Sequence, residues 1–226
     1  MNDLLFYSIA LIVAGYVFWI WLSDLRNHDA IRVQGDAGEV VAGDKRRPPT
    51  FPGATPVGTA AIAVAVVGAL VLLGVEVGGE YALGIVGQQT KMTVLFGLYT
   101  LAAAFVEELI FRGYLVYERG TKAQLILGIV LVSAVFAALH PYLWQWHMPE
   151  GAASWEVWRG TLSPKFDTKA LFSTAIVFVR SLWFYCVRFC PMNPLRSLLP
   201  SIAAHLATNI GVFALKAIQG HVTGLF

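Results

Sequence analysis

Apolar residues in this chain fall in long runs rather than at the spacing of an amphipathic helix or a strand, the pattern of membrane spans. Residues 4–22 form the first run. It has no basic segment before it and leads into Ser23 and Asp24 rather than a small-residue cleavage site, so it reads as a retained span. Residues 57–75 form a second, 19 residues long, enough at about 1.5 Å per residue to cross roughly 30 Å of hydrocarbon. A third begins at Met92, meets Glu107 and Glu108, and resumes to Val116. Residues 123–140 and 170–187 give a fourth and a fifth, the latter interrupted by Arg180. Residues 198–218 give a sixth, with Pro200 in the first turn, where proline is tolerated. The pattern predicts an all-α, polytopic membrane helix bundle of about six transmembrane helices around a polar cavity, forming one domain over 1–226. Residues 24–56, charged and rich in Gly and Pro, are expected to be a polar loop.

Composition narrows the class. Of 226 residues 57% are apolar and 13% charged, which excludes a soluble globular enzyme and a disordered tail. A net charge of +2 leaves no basic stripe for phosphates, so nucleic acid is not an expected partner. Cys186 and Cys190 are too few for a disulfide framework and are expected to be packing residues.

Loop charges set the orientation. Arg26, Arg32, Lys45, Arg46 and Arg47 lie in the first loop, Arg119 and Lys122 in the third, Arg188 and Arg196 in the fifth. The even loops hold only Lys91, Arg159, Lys165 and Lys169. The positive-inside rule then puts odd loops in the cytoplasm and both termini outside. The long fourth loop, 141–169, carries Trp144, Trp146, Trp155 and Trp158 and reads as an interfacial segment, an anchoring belt or a substrate gate.

An ionisable side chain at the centre of a membrane helix costs roughly 2.5 to 3.5 kcal/mol on insertion scales, so each one needs a partner or a task. Glu108 and Arg112 are four apart, acid first, and can neutralise each other. Glu107 lies about 100° around the helix from Glu108 and has no local cation, which makes it the candidate proton acceptor. Phe136 and His140 share a face of the fourth helix, His205 and Asn209 a face of the sixth. A carboxylate, two imidazoles and an amide suit amide hydrolysis: acid and imidazole can take a proton from water, while imidazole and amide can bind an oxyanion. No serine lies in a G-x-S-x-G setting and neither cysteine is near a histidine in sequence, which argues against a covalent route.

Glu107-Glu108-x-x-x-Arg112, Phe136-x-x-x-His140 and His205-x-x-x-Asn209, in order on three helices, resemble the motif set of the CAAX protease and bacteriocin-processing (CPBP, Abi) membrane endopeptidases, which include the type II CAAX prenyl endopeptidases. Flanking sequence at 105–114 (FVEELIFRGY) and 197–209 (SLLPSIAAHLATN) is similar too, and the resemblance covers 98–211, the expected catalytic helix core. It implies that Glu107 and His140 activate water, that His205 and Asn209 bind the oxyanion, and that Glu108 and Arg112 hold the third helix in shape; Phe136 is expected to be a packing support. It implies no metal or other cofactor, and a lipidated, prenylated or hydrophobic peptide or a bacteriocin leader as substrate. The expected setting is a multi-pass protein of a prokaryotic plasma membrane, in contact with lipid. Two alternatives stay open: a zinc protease with Glu107, His140 and His205 as ligands, and a non-proteolytic immunity, scaffold or transport protein using the polar cluster for binding or proton relay.

Overall fold

The computed structural model of the protein describes residues 2–36, 50–118, 120–151 and 156–225. Its order is α1 (Asn2–Asp36), α2 (Thr59–Ala82), a 3₁₀ turn (Val86–Gln88), α3 (Val94–Glu107), a π-helical segment (Glu108–Tyr114) continuing α3, α4 (Lys122–Leu139), β1 (Trp144–His147), β2 (Thr161–Pro164), α5 (Thr168–Phe189) and α6 (Leu199–Ile218). Among the described residues six helices are long and apolar enough to cross a membrane, with α3 and its π-helical continuation counting as one, Val94–Tyr114. The fold is the expected all-α polytopic bundle.

Three boundaries differ from expectation. Helix α1 runs on to Asp36, so 24–36 is helical rather than loop; residues 37–49 of that loop, Trp155 and Arg119 lie outside the described residues. Helix α2 continues past Val75 and carries Glu76 and Glu80 within it. The fourth loop holds an antiparallel hairpin, β1 on β2, with Trp144 opposite Pro164 and Trp146 opposite Leu162. Cys186 is exposed rather than packed.

Local chemistry accounts for the starts of the helices. Thr93 accepts from Phe96 N–H (3.2 Å) to cap α3. Thr121 and Gln124 form a reciprocal capping box on α4, and Asp167 caps α5 through Ala170 N–H (2.8 Å). Burial of an apolar face cannot drive helix association in lipid, so close approach of small residues takes its place. Ala65, Ala69 and Ala204 pack with Phe184 and Val187 between α2, α5 and α6. A side chain at Gly68 would strike the Trp183 ring at 2.1 Å, and one at Gly211 the Leu73 side chain at 2.4 Å. Outward, Leu5, Phe6, Ile9, Ile12, Val13, Tyr16 and Trp19 of α1 are exposed, an apolar surface suited to lipid.

The two ends of the bundle differ. At the end carrying the first, third and fifth loops, Leu198 N–H bonds Gly53 C=O (3.0 Å) and Ser197 bonds Thr55 C=O. Asn193 spans from Arg188 C=O to Ser197, and Glu118 holds both Arg188 and Arg196. That end is closed. The other end, with the second and fourth loops, leaves space between α3, α4, α5 and α6 for the site described next.

Candidate active site

The site begins where α3 changes its winding. From Glu108 onward the segment is π-helical, and Leu115 N–H reaches Ile110 C=O (2.9 Å), five residues back. Such segments recur at functional positions because they reorient a few side chains without ending the helix. Here the two adjacent glutamates part: Glu108 is fully buried in the bundle, while Glu107 is one-third exposed.

Glu108 is the centre of a buried network. Its Oε1 accepts from Arg112 Nη1 (3.0 Å) and from His205 Nδ1 (2.9 Å). Arg112 Nη2 donates to Ser181 Oγ (2.6 Å), and Ser181 donates to Ser133 Oγ (2.9 Å). The Arg112 guanidinium lies 4.4 Å from the Phe136 ring centre and 5.1 Å from those of Phe184 and Tyr185, an aromatic cage that suits a delocalised cation. One ion pair therefore ties α3 to α4, α5 and α6. Glu108 thus holds His205 of α6 as well as Arg112 of its own helix. Ser133 and Ser181 escaped sequence reading because small hydroxyls are ordinary in membrane helices and only their meeting in space gives them a role.

The four other motif residues point into one space. Glu107, His140, His205 and Asn209 all line a cavity of about 470 Å³, with Phe136 and Phe184 as its apolar wall. His205 Nε2 stands 3.8 Å from Glu107 Oε2, so Glu107 gains an imidazole neighbour from α6 that its own helix does not supply. His140, at the end of α4, lies 2.8 Å through Nδ1 from Phe136 C=O. A carbonyl only accepts, so Nδ1 carries a proton, and in the neutral ring the lone pair is then on Nε2. His205 likewise carries a proton on Nδ1, which donates to the Glu108 carboxylate. Asn209 Nδ2 donates to Thr100 C=O (2.9 Å), which fixes the amide and leaves its second N–H free. Phe136 lies between the two imidazoles, 4.7 Å from the His140 ring and 6.2 Å from that of His205. A cleft of about 280 Å³ between the third and fourth helices, lined by Glu107, Phe111, Leu139 and His140, adjoins the cavity on its outer side.

A family model described as type II CAAX prenyl endopeptidase Rce1-like matches residues 89–211. The chain belongs to this family. The Rce1-like family is one of membrane CAAX-type endopeptidases, so membership together with six apolar helices makes this an integral, multi-pass membrane protein of a protease family. The Rce1-like match begins nine residues before the 98–211 core and leaves α1 and α2 outside it. No curated protein and no solved structure matches the chain.

Around this Rce1-like core two further features stand out. Arg180, which interrupts the fifth apolar run, forms an ion pair with Glu76 of α2. Both side chains are about nine-tenths buried, and Arg180 lines the cavity. Glu80, one turn on, holds Lys169 of α5. The signal was present: Glu76 and Glu80 are four apart at the end of an apolar run, and a lone arginine in the fifth span requires an acid on a neighbour. As to a zinc site, among the described residues no three His, Cys, Asp or Glu side chains are grouped to hold a metal ion, and His205 commits Nδ1 to Glu108.

Proposed function

We propose that this protein is a membrane-embedded endopeptidase that hydrolyses a peptide bond of a lipidated or hydrophobic substrate with a Glu107-activated water, in a prokaryotic plasma membrane. The observation that carries the reading is the convergence of Glu107, His140, His205 and Asn209, from three helices, on one 470 Å³ cavity. In this reading residues 98–211 are the catalytic helix core.

The chemistry follows from the proton inventory. Glu107 and the Nε2 lone pair of His140 hold a water and orient it toward the scissile carbonyl. Glu107 takes one of its protons as the oxygen–carbon bond forms. The carbonyl oxygen becomes an oxyanion, received by the free N–H of Asn209 and by His205 Nε2–H. For His205 to donate there it must be an imidazolium, because Nδ1–H is given to Glu108; the carboxylates of Glu108 and Glu107 on either side offset that charge. When the carbon–nitrogen bond breaks, the proton held by Glu107 passes to the leaving amine. Phe136 and Phe184 give the site an apolar wall, and the lower local dielectric strengthens each of these polar contacts.

The apolar cleft beside Glu107 supports a substrate that carries a lipid or a hydrophobic segment. The test is peptidomics of membranes holding wild-type protein or Glu107→Gln. Fragments that depend on wild type report both activity and substrate, and identical peptide profiles would end the assignment.

A further inference from the structure

The catalytic cavity has a direction. From Glu107 and His205 its lining follows α6 through Asn209, Val212 and Lys216 and ends at Thr90, Lys91, Pro141 and Tyr142 of the second and fourth loops, all four exposed. Among the described residues, none from the first, third or fifth loop lines it. Behind the catalytic residues the bundle is filled: Glu108, Arg112, Leu198 and Ser201 are fully buried.

A second cavity, of about 440 Å³, lies at the same end between α2, α5, α6 and the hairpin. Thr90, Pro141, Tyr142, Arg180, Val212 and Lys216 line both, so the two adjoin. Its walls carry the Glu76–Arg180 and Glu80–Lys169 pairs, and Lys216, whose Nζ donates to Gln89 Oε1 (3.1 Å). Ionised groups at this density suit an aqueous vestibule and not a lipid-filled one.

The loops decide which side of the membrane the vestibule faces. The first, third and fifth hold nine Lys and Arg, the second and fourth four. Loops this short obey the positive-inside rule, which counts cations and gives little weight to acids. The closed end then lies in the cytoplasm and the vestibule on the opposite face.

We infer that the site is loaded from the extracytoplasmic face, and that its substrate class is the membrane-held segment of a protein already exported, cut near the outer surface. The inference rests on the protease reading and deepens it, since it rules out cytosolic proteins as substrates. A polar chain coming from the cytoplasm would have to part the closed end, where Leu198 N–H bonds Gly53 C=O and Glu118 holds Arg188 and Arg196. Crossing the hydrocarbon instead would cost several kcal/mol for each unpaired backbone group. A segment on the outer face reaches Glu107 through the vestibule without either cost. The cleft beside Glu107 has Leu139, His140 and Pro141 at that same end, where it meets the apolar part of the substrate in the outer half of the membrane.

The experiment uses full-length protein in intact bacterial cells, with Cys186 and Cys190 replaced by Ser. A single cysteine is introduced by Gln88→Cys or Gln145→Cys, both exposed on the vestibule lining, or by Met192→Cys, exposed at the closed end. A membrane-impermeant maleimide should label the first two in intact cells and Met192→Cys only after permeabilisation. The reverse pattern, or labelling of all three in intact cells, overturns the inference. Two vestibule positions keep the test standing if one variant fails to fold. The substrate is read separately, from peptides present in wild-type cells and lost in Glu107→Gln cells. Their cleavage sites should lie in outward-facing segments, and sites in cytosolic proteins overturn the substrate class. Finding no Glu107-dependent peptide counts instead against the protease reading, while the labelling still decides which face the vestibule takes.

Discussion

His205 Nδ1 lies 2.9 Å from Glu108 Oε1, so the second glutamate of the EExxxR motif orients a histidine 97 residues away in sequence. The same oxygen accepts from Arg112 at 3.0 Å. Glu108→Ala strands a buried guanidinium and releases the imidazole together. Breaking one side of a buried pair costs about 3–5 kcal/mol. The variant should unfold at markedly lower temperature in detergent and lose hydrolysis; an unchanged unfolding midpoint would remove Glu108 from its structural role.

Glu107 should behave in the opposite way. It is one-third exposed and stands 3.8 Å from His205 Nε2, beyond hydrogen-bond distance. Glu107→Gln should leave thermal unfolding within about 0.5 kcal/mol of wild type while reducing turnover by roughly 10²- to 10⁴-fold, the usual weight of a positioned general base. Parallel calorimetry and peptide cleavage check both halves, and a loss of stability equal to that of Glu108→Ala would contradict the division of labour.

In the proposed mechanism Asn209 carries two tasks through one amide. Asn209→Ala removes an oxyanion donor, so kcat should fall about 10²- to 10³-fold with little change in KM. Loss of the bond to Thr100 C=O should cost about 1 kcal/mol of stability. Single-turnover kinetics separate the two effects.

The Glu76–Arg180 pair links α2 to α5. Glu76→Leu or Arg180→Met alone leaves a buried charge and should destabilise by about 3–5 kcal/mol. The double variant should regain most of the loss, because two apolar side chains need no partner. A double-mutant cycle of unfolding energies measures the coupling, and additive losses would show that the pair is not coupled.

Outside the membrane spans, Asp167 reports on pH. The Ala170 N–H that it caps, and then Lys165, hold its carboxyl below the usual carboxylate range. A lowered folded-state value means that the capping contribution is fully present above the ordinary carboxylate pKa and is lost as pH falls through the lowered one. Amide exchange at Ala170 should therefore quicken relative to Asp167→Asn on acidification below about pH 4. An exchange ratio that stays flat with pH would remove the cap.

Much of the protein could be read from the chain alone because its determinants are local. Apolar runs longer than a bilayer is thick leave a helix as the only way to satisfy the backbone, and this fixed six spans. Ionisable residues inside them mark the motifs, because lipid makes every charge conspicuous. Glu108 and Arg112 found each other by helical spacing alone. Helix ends are less legible: the apolar run 57–75 stops short of Glu76 and Glu80, which stay within α2 because Arg180 and Lys169 of α5 partner them.

By itself, then, the sequence determined the number of spans, the helical class and the residues able to carry chemistry, since each depends on contacts within a turn or two of helix. The tertiary structure decided which of them meet. It placed His205 between Glu107 and Glu108, turned Asn209 onto Thr100, matched Arg180 with Glu76 and set Lys216 on the lining of the cavity that Glu107 also faces. Those relationships join residues up to more than a hundred positions apart, and packing between helices, which no local pattern encodes, brings them within reach of a hydrogen bond.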